Sequence, residues 1–245
     1  LEMITGGSSG GSGSATRAGE CTITMGTDTG GSIRIPSALC GLAGLKPTYG
    51  LLSRHGIFPL SWSLDHAGPM TRTVEDCALI LNAIAGYDYK DPASASVHIH
   101  DYTSALDGDL KGMRIGVPKE YFQVPMDHQV EQAVRTAIDL LGELGATVKE
   151  ISWPMYHHAQ AISSTIVMAE AAAIHRKMLR QKAEQYSQPV RLRIEAGFFI
   201  SGADYLRAQQ ARTLFIRQSK ELFSDVDLLA GPTVAITAHP IGANQ

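Results

Sequence analysis

The sequence is poor in most features that would mark a special environment or partner. Cysteine is scarce, with only Cys21, Cys40 and Cys77 in 245 residues. An odd count at wide spacing makes neither a disulfide framework nor a zinc cluster, so a reducing cytoplasm is the expected setting. Each cysteine is expected to be a small buried apolar side chain. Charge of one sign is equally scarce: 21 Lys and Arg face 24 Asp and Glu, a formal net charge of -3. With no block of like charges, direct binding of nucleic acid is not expected. No apolar run reaches the length of a membrane span, and no basic segment leads into an apolar one as in a signal peptide. No segment repeats at a fixed period.

What the chain does have is 44% hydrophobic residues, enough for one large domain or two small ones, and two glycine-rich loops near its start. Residues 6–13 read GGSSGGSG. Alone, such a tract is a flexible linker or a cloning scar. The residues after it argue against both, because 14–18 are helix-tolerant and 22–25 (TITM) alternate as a short buried strand does. A second loop, 26–31 (GTDTGG), runs into Ser32-Ile33-Arg34-Ile35-Pro36. The order is loop, short helix, strand, loop, helix start.

Further on, residues 41–69 are rich in glycine and proline and read as a weave of short strands and turns. A helix is expected from about Val74 to Ala85, with Thr73 and Asp76 at capping-box spacing and Gly86 just past its end. Residues 90–110 read as a polar loop. Strands are expected at 113–117 and 147–151. Between them, Asp127 caps a helix whose Val130, Val134, Ala137, Ile138 and Leu141 share one face, which makes a parallel crossover unit. Two or three helices fill about 157–223, broken near 187–189 and 201–202, and 226–230 reads as a buried strand. The fold class is α/β.

The second loop carries the chemistry. Paired glycines let a ligand approach the main chain, and successive amides in such a loop converge on an anion. Ser32 stands at the end of that loop, beside the amides of Thr29, Gly30, Gly31 and its own. A nucleophile next to an oxyanion hole is what acyl transfer requires. A phosphate site and a structural turn with a serine cap fit the same pattern. However, Ile33-Arg34 replaces the Lys and Ser or Thr of a Walker loop, and the Rossmann fingerprint is absent. A serine needs a base, and none of the nine histidines lies within either loop. All nine are expected at the surface or the core edge. The GxSxG elbow is also missing around Ser32. The first loop supplies hydroxyls that can relay a proton and glycines that allow tight packing. Trp62, Phe58 and Met3 suit an apolar pocket, but core packing is the expected role for each.

Taken together, residues 6–12 (GGSSGGS) and 26–36 (GTDTGGSIRIP) resemble the amidase signature family. The likeness continues through Cys40 to Gly50, Ser63 to Pro69 and Thr71 to Asp76, and more loosely through the rest of the chain. It implies a mixed central sheet flanked by helices, here incomplete at both ends, as a single domain fragment over 1–245. It also implies amide hydrolysis without metal or cofactor, by Ser, a second Ser held by a cis peptide, and Lys. By position, Ser32 matches the nucleophile and Ser8 the bridging serine. Thr29, Gly30 and Gly31 match the oxyanion loop, and Asp28, Arg34 and Ser9 match its support. The family's Lys lies well upstream of the first glycine loop. Only seven residues precede Ser8 and none is Lys. Lys46 belongs to the scaffold in that pattern. The expectation is therefore a chain cut off before its base, and nearly inert alone.

The substrate implied is a small-molecule amide; the sequence does not specify an oligomeric state. Two alternatives stay open. One is the glutaminase component of a tRNA-dependent amidotransferase, although residues 168–175 (MAEAAAIH) lack the Asn-Leu-Ser-Arg-Tyr-Asp-like run expected there. The other is a truncated, non-catalytic scaffold member.

Overall fold

The computed structural model describes residues 2–243. Residues 1, 244 and 245 lie outside the described set. Helix α1 (Gly10–Ala18) begins inside the glycine tract, earlier than its composition suggests. Strand β1 (Thr24–Asp28) follows and leads through the second loop into α2 (Arg34–Cys40). The strand extends to Asp28, so half of the stretch expected to be loop is ladder. Strands β2 (Ala43–Gly44) and β3 (His66–Thr71) complete an antiparallel sheet in the order β1-β3-β2. Gly68 stands opposite Gly26, and Asp28 opposite His66. Helix α3 (Val74–Ile84) closes over this sheet. Thr73 caps it by accepting the Asp76 amide at 3.1 Å, as the spacing requires. Leu52, Ala67 and Leu81 form the small core beneath it.

A second sheet is parallel, in the order β5-β4-β6, from β4 (Arg114–Pro118), β5 (Thr147–Ile151) and β6 (Leu228–Leu229). Helix α4 (His128–Glu143) is the crossover between β4 and β5, capped by Asp127 through the Gln129 amide. Helices α6 (Gln188–Ala196) and α7 (Gly202–Asp225) both pack on α5 (Ala159–Lys182). The architecture is mixed α/β, with sheets flanked by helices. Among the described residues the strands make two three-stranded sheets rather than one continuous sheet.

Three expectations about single residues do not hold. Cys77 is buried, but Cys21 is exposed and Cys40 half-buried. His175 is buried inside the helical layer, where its Nδ1 meets the Tyr186 hydroxyl at 2.8 Å. Met3, Phe58 and Trp62 are exposed rather than packed in the core. For Trp62 the cause is polar: its carbonyl accepts from Tyr49 Oη and from Arg54 Nη1, both at 2.8 Å, and this anchors the backbone and leaves the ring outside. No helix among the described residues is long and apolar enough to cross a membrane.

Candidate active site

Strand β1 delivers Asp28, fully buried, to the mouth of the second glycine loop. The loop then folds around that carboxylate. Oδ1 accepts from the Gly31 amide at 2.8 Å and from Arg34 Nη2 at 2.9 Å. Oδ2 accepts from Arg34 Nε at 3.0 Å and from the Ile33 amide at 3.2 Å. Burial by itself pushes this carboxyl up. The hydrogen bonds and charge of Arg34, with the two amides, outweigh burial and hold it at about 2. The carboxylate is thus ionised and neutralised in place, and the loop around it is fixed. Gly31 sits at φ 123°, a region closed to side chains, and a Cβ there would meet Ile35 Cδ1 at 2.7 Å.

Because Asp28 holds the Gly31 amide, three of the four candidate donors are left. The amides of Thr29, Gly30 and Ser32 have no partner among the described residues. Thr29 is fixed through its side chain, whose hydroxyl donates to Asp65 Oδ1 at 2.6 Å.

The first glycine loop docks directly on this one. The Ser9 amide donates to the Ser32 carbonyl at 3.2 Å. The Ser9 hydroxyl bridges the backbone of Thr27, accepting from its amide and donating to its carbonyl, each at 3.2 Å. Ser12 Oγ donates to the Met25 carbonyl at 2.9 Å. Hydroxyls of the α1 segment thereby satisfy the outer edge of β1 where a further strand would otherwise pair. Gly26 permits the approach, since a Cβ there would meet Ser9 Oγ at 2.8 Å. The Gly7–Ser8 peptide is cis, Ser8 is exposed, and Ser32 is half-buried. The hydroxyls of Ser8 and Ser32 have no hydrogen-bond partner among the described residues.

Lys46 and His66 lie behind Asp28 and Arg34. His66 Nδ1 faces the Leu64 carbonyl at 2.6 Å, which places the ring proton there, and Nε2 then accepts from Lys46 Nζ at 3.2 Å. Burial pushes both groups down, and Arg34 adds to the effect at Lys46, as Lys46 does at His66. Lys46 Nζ also reaches the Pro47 carbonyl, so its contacts are spent on the scaffold. Among the described residues no cluster of His, Cys, Asp and Glu could hold a metal ion. A hollow of about 580 Å³ runs along the outer edge of β1, from Ser9 and Ser12 to Ile57 and Ile84.

Comparison with known proteins decides the family. The amidase family model matches residues 1–245. The chain belongs to the amidase family. It is 47% identical over 268 residues to a glutamyl-tRNA(Gln) amidotransferase subunit of Roseiflexus sp. (strain RS-1), with 100% of this chain and 55% of that protein aligned. It is also 47% identical over 221 residues to an amidase of Pseudomonas putida, with 90% of this chain and 47% of that protein aligned. A solved structure of a vestigial protein complex, described as revealing the origins of an s-triazine catabolic enzyme, superposes with a TM-score of 0.93 at 36% identity. That superposition takes in 99% of this chain and 52% of that one. The chain therefore spans about half the length of the relatives it matches.

Within this amidase fold, sequence reasoning groups Ser8, Ser9, Asp28, Thr29, Gly30, Gly31, Ser32 and Arg34 as one candidate site; in the structure Ser9 bonds Ser32, and Asp28 bonds Gly31 and Arg34. It does not find what steadies Thr29. Asp65 lies in the recognised stretch from Ser63 to Pro69, but its partner is 36 residues upstream. Nor does it find Glu170, a buried carboxylate on α5 that bonds Ser61 and Ser63. Its one sequence signal is an acid alone in an alanine-rich helical run.

Proposed function

We propose that the protein carrying this chain hydrolyses a small-molecule carboxylic acid amide through an acyl-enzyme on Ser32. Ser32 Oγ attacks the amide carbon, and its proton passes through Ser8 to a basic amine. The family likeness makes that amine a neutral lysine upstream of the first glycine loop. Negative charge gathers on the carbonyl oxygen and is held by the amides of Thr29, Gly30 and Ser32. Gly31 shapes the loop with its amide on Asp28, and Asp28, Arg34 and Ser9 hold the loop rigid. The C–N bond then breaks, the amine leaves with the proton, and water attacks the ester to release the acid. No step in this scheme calls on a metal or cofactor.

The observation that supports the reading is the hydrogen bond from the Ser9 amide, one residue from Ser8, to the Ser32 carbonyl. In the full-length protein, Ser32→Ala is expected to lower turnover at least about a thousandfold. A variant that keeps most of its activity ends the proposal.

A second reading is favoured by the Roseiflexus relative: a glutaminase that feeds ammonia to a partner protein. Residues 168–175 speak against it, because they lack the run expected of such a glutaminase. Ammonia release from glutamine that depends on a partner complex would reverse the order. A non-catalytic scaffold role predicts no labelling of Ser32 by a fluorophosphonate, whereas the hydrolase reading predicts labelling.

A further inference from the structure

Glu170 is nine-tenths buried, and neither glycine loop contains it. Its carboxylate collects four donors from two distant parts of the chain. Oε2 accepts from Ser61 Oγ at 2.6 Å and from the Ser63 amide at 3.0 Å. Oε1 accepts from Ser63 Oγ and from Tyr205 Oη on α7, both at 2.8 Å. Arg212, also on α7, donates to Ser63 Oγ and to the Ser63 carbonyl at 3.2 Å. Burial pushes the Glu170 carboxyl up, but these donors outweigh it and keep it ionised. A buried carboxylate with this many donors is a rigid joint, because each donor it loses leaves charge unsolvated.

The joint grips one side of the turn at residues 60–65. The other side bonds Thr29, in the glycine loop that leads to Ser32. Within the turn, the Leu64 and Asp65 amides close on the Ser61 carbonyl. Asp65 Oδ2 takes the Leu60 and Ser61 amides at 2.7 and 2.9 Å, and Oδ1 takes the Thr29 hydroxyl. An unbroken chain of hydrogen bonds thus runs from Tyr205 through Glu170, Ser61 and Asp65 to Thr29.

We propose that Glu170 is a positioning residue for the oxyanion loop, holding the 60–65 turn against α5 and α7 so that Asp65 fixes the Thr29 backbone. This rests on the reading of Ser32 as nucleophile. Its physical basis is that an amide donor works only where it already points before charge develops, so a loosened turn weakens the transition state more than substrate binding.

The test is a double-mutant cycle in the full-length protein, read as the rate of Ser32 phosphonylation by a fluorophosphonate probe. Glu170→Gln keeps the side-chain volume, and Thr29→Val removes the hydroxyl that receives the constraint. Each single variant is expected to label about tenfold more slowly than wild type, and the double variant no more slowly than Thr29→Val alone. A network that merely stabilises the fold would not give that lack of additivity. The inference is overturned if Glu170→Gln labels within about twofold of wild type, or if the two effects multiply. If Glu170→Gln loses its cooperative urea transition, Ser61→Ala and Tyr205→Phe each remove one donor and enter the same cycle, where wild-type labelling rates overturn it equally. Wild-type protein that ignores the probe at Ser32 overturns the nucleophile reading, and this inference with it. Labelled wild type with an equally fast Glu170→Gln overturns this inference alone.

Discussion

Asp28 is the residue on which the candidate site is built, and its charge state can be tested directly. Its carboxyl is held at about 2 in the fold, against about 3.9 in an unstructured chain. A depressed pKa contributes stability that is complete above about pH 4 and is lost as the pH falls through about 2, worth about 2–3 kcal/mol. Asp28→Asn is therefore expected to lower the urea midpoint at neutral pH and to flatten its dependence on pH in that acid window. An unchanged midpoint would mean that the loop does not need the carboxylate. Gly31→Ala should be worse than a usual glycine replacement, costing about 2 kcal/mol or more by urea titration, since its φ of 123° and the Ile35 side chain both oppose a Cβ. Asp28 and Arg34 pair with partners within six residues, and Ser32 is marked by its place at the end of a glycine loop, so all three were legible in the sequence. The Thr29–Asp65 and Ser61–Glu170 bonds span 36 and 109 residues, and no local pattern encodes such pairings.

At the scale of elements, α1 and β1 form a unit joined by hydroxyls. Ser9→Ala removes both bonds to the Thr27 backbone and leaves its amide without a partner on an edge strand. The expected loss is about 1–3 kcal/mol in urea unfolding, with slower labelling of Ser32 because the same segment carries Ser8. Ser12→Ala, on a more exposed bond, is expected to cost less. If the two variants behave alike, the Ser9 bridge has no special place. Elements with local signals were found where the sequence has them: α3 behind Thr73, α4 behind Asp127, and the parallel β4-α4-β5 crossover. The antiparallel sheet was largely hidden. Strand β1 contains Gly26 and Asp28, and β3 contains Gly68 and Pro69, residues that disfavour strands on local grounds. Tertiary packing overrides that preference. A side chain at Gly68 would run into the Leu45 carbonyl, so close approach of the backbones selects glycine there.

Over the whole molecule, an antiparallel sheet bears both glycine loops, and a helical layer of α5, α6 and α7 reaches it through Glu170 and the 60–65 turn. The α/β class was readable from alternating strands and helices. The division into two sheets was not, because strand order is a long-range property. The central claim concerns one covalent bond. The full-length protein should be mixed with an activated amide substrate, quenched during turnover, and digested, and the peptide containing Ser32 weighed by mass spectrometry. The account predicts an added acyl mass on Ser32 that appears and decays with turnover and is absent from Ser32→Ala. Steady turnover with the adduct on another residue, or with Ser32→Ala as active as wild type, would contradict it.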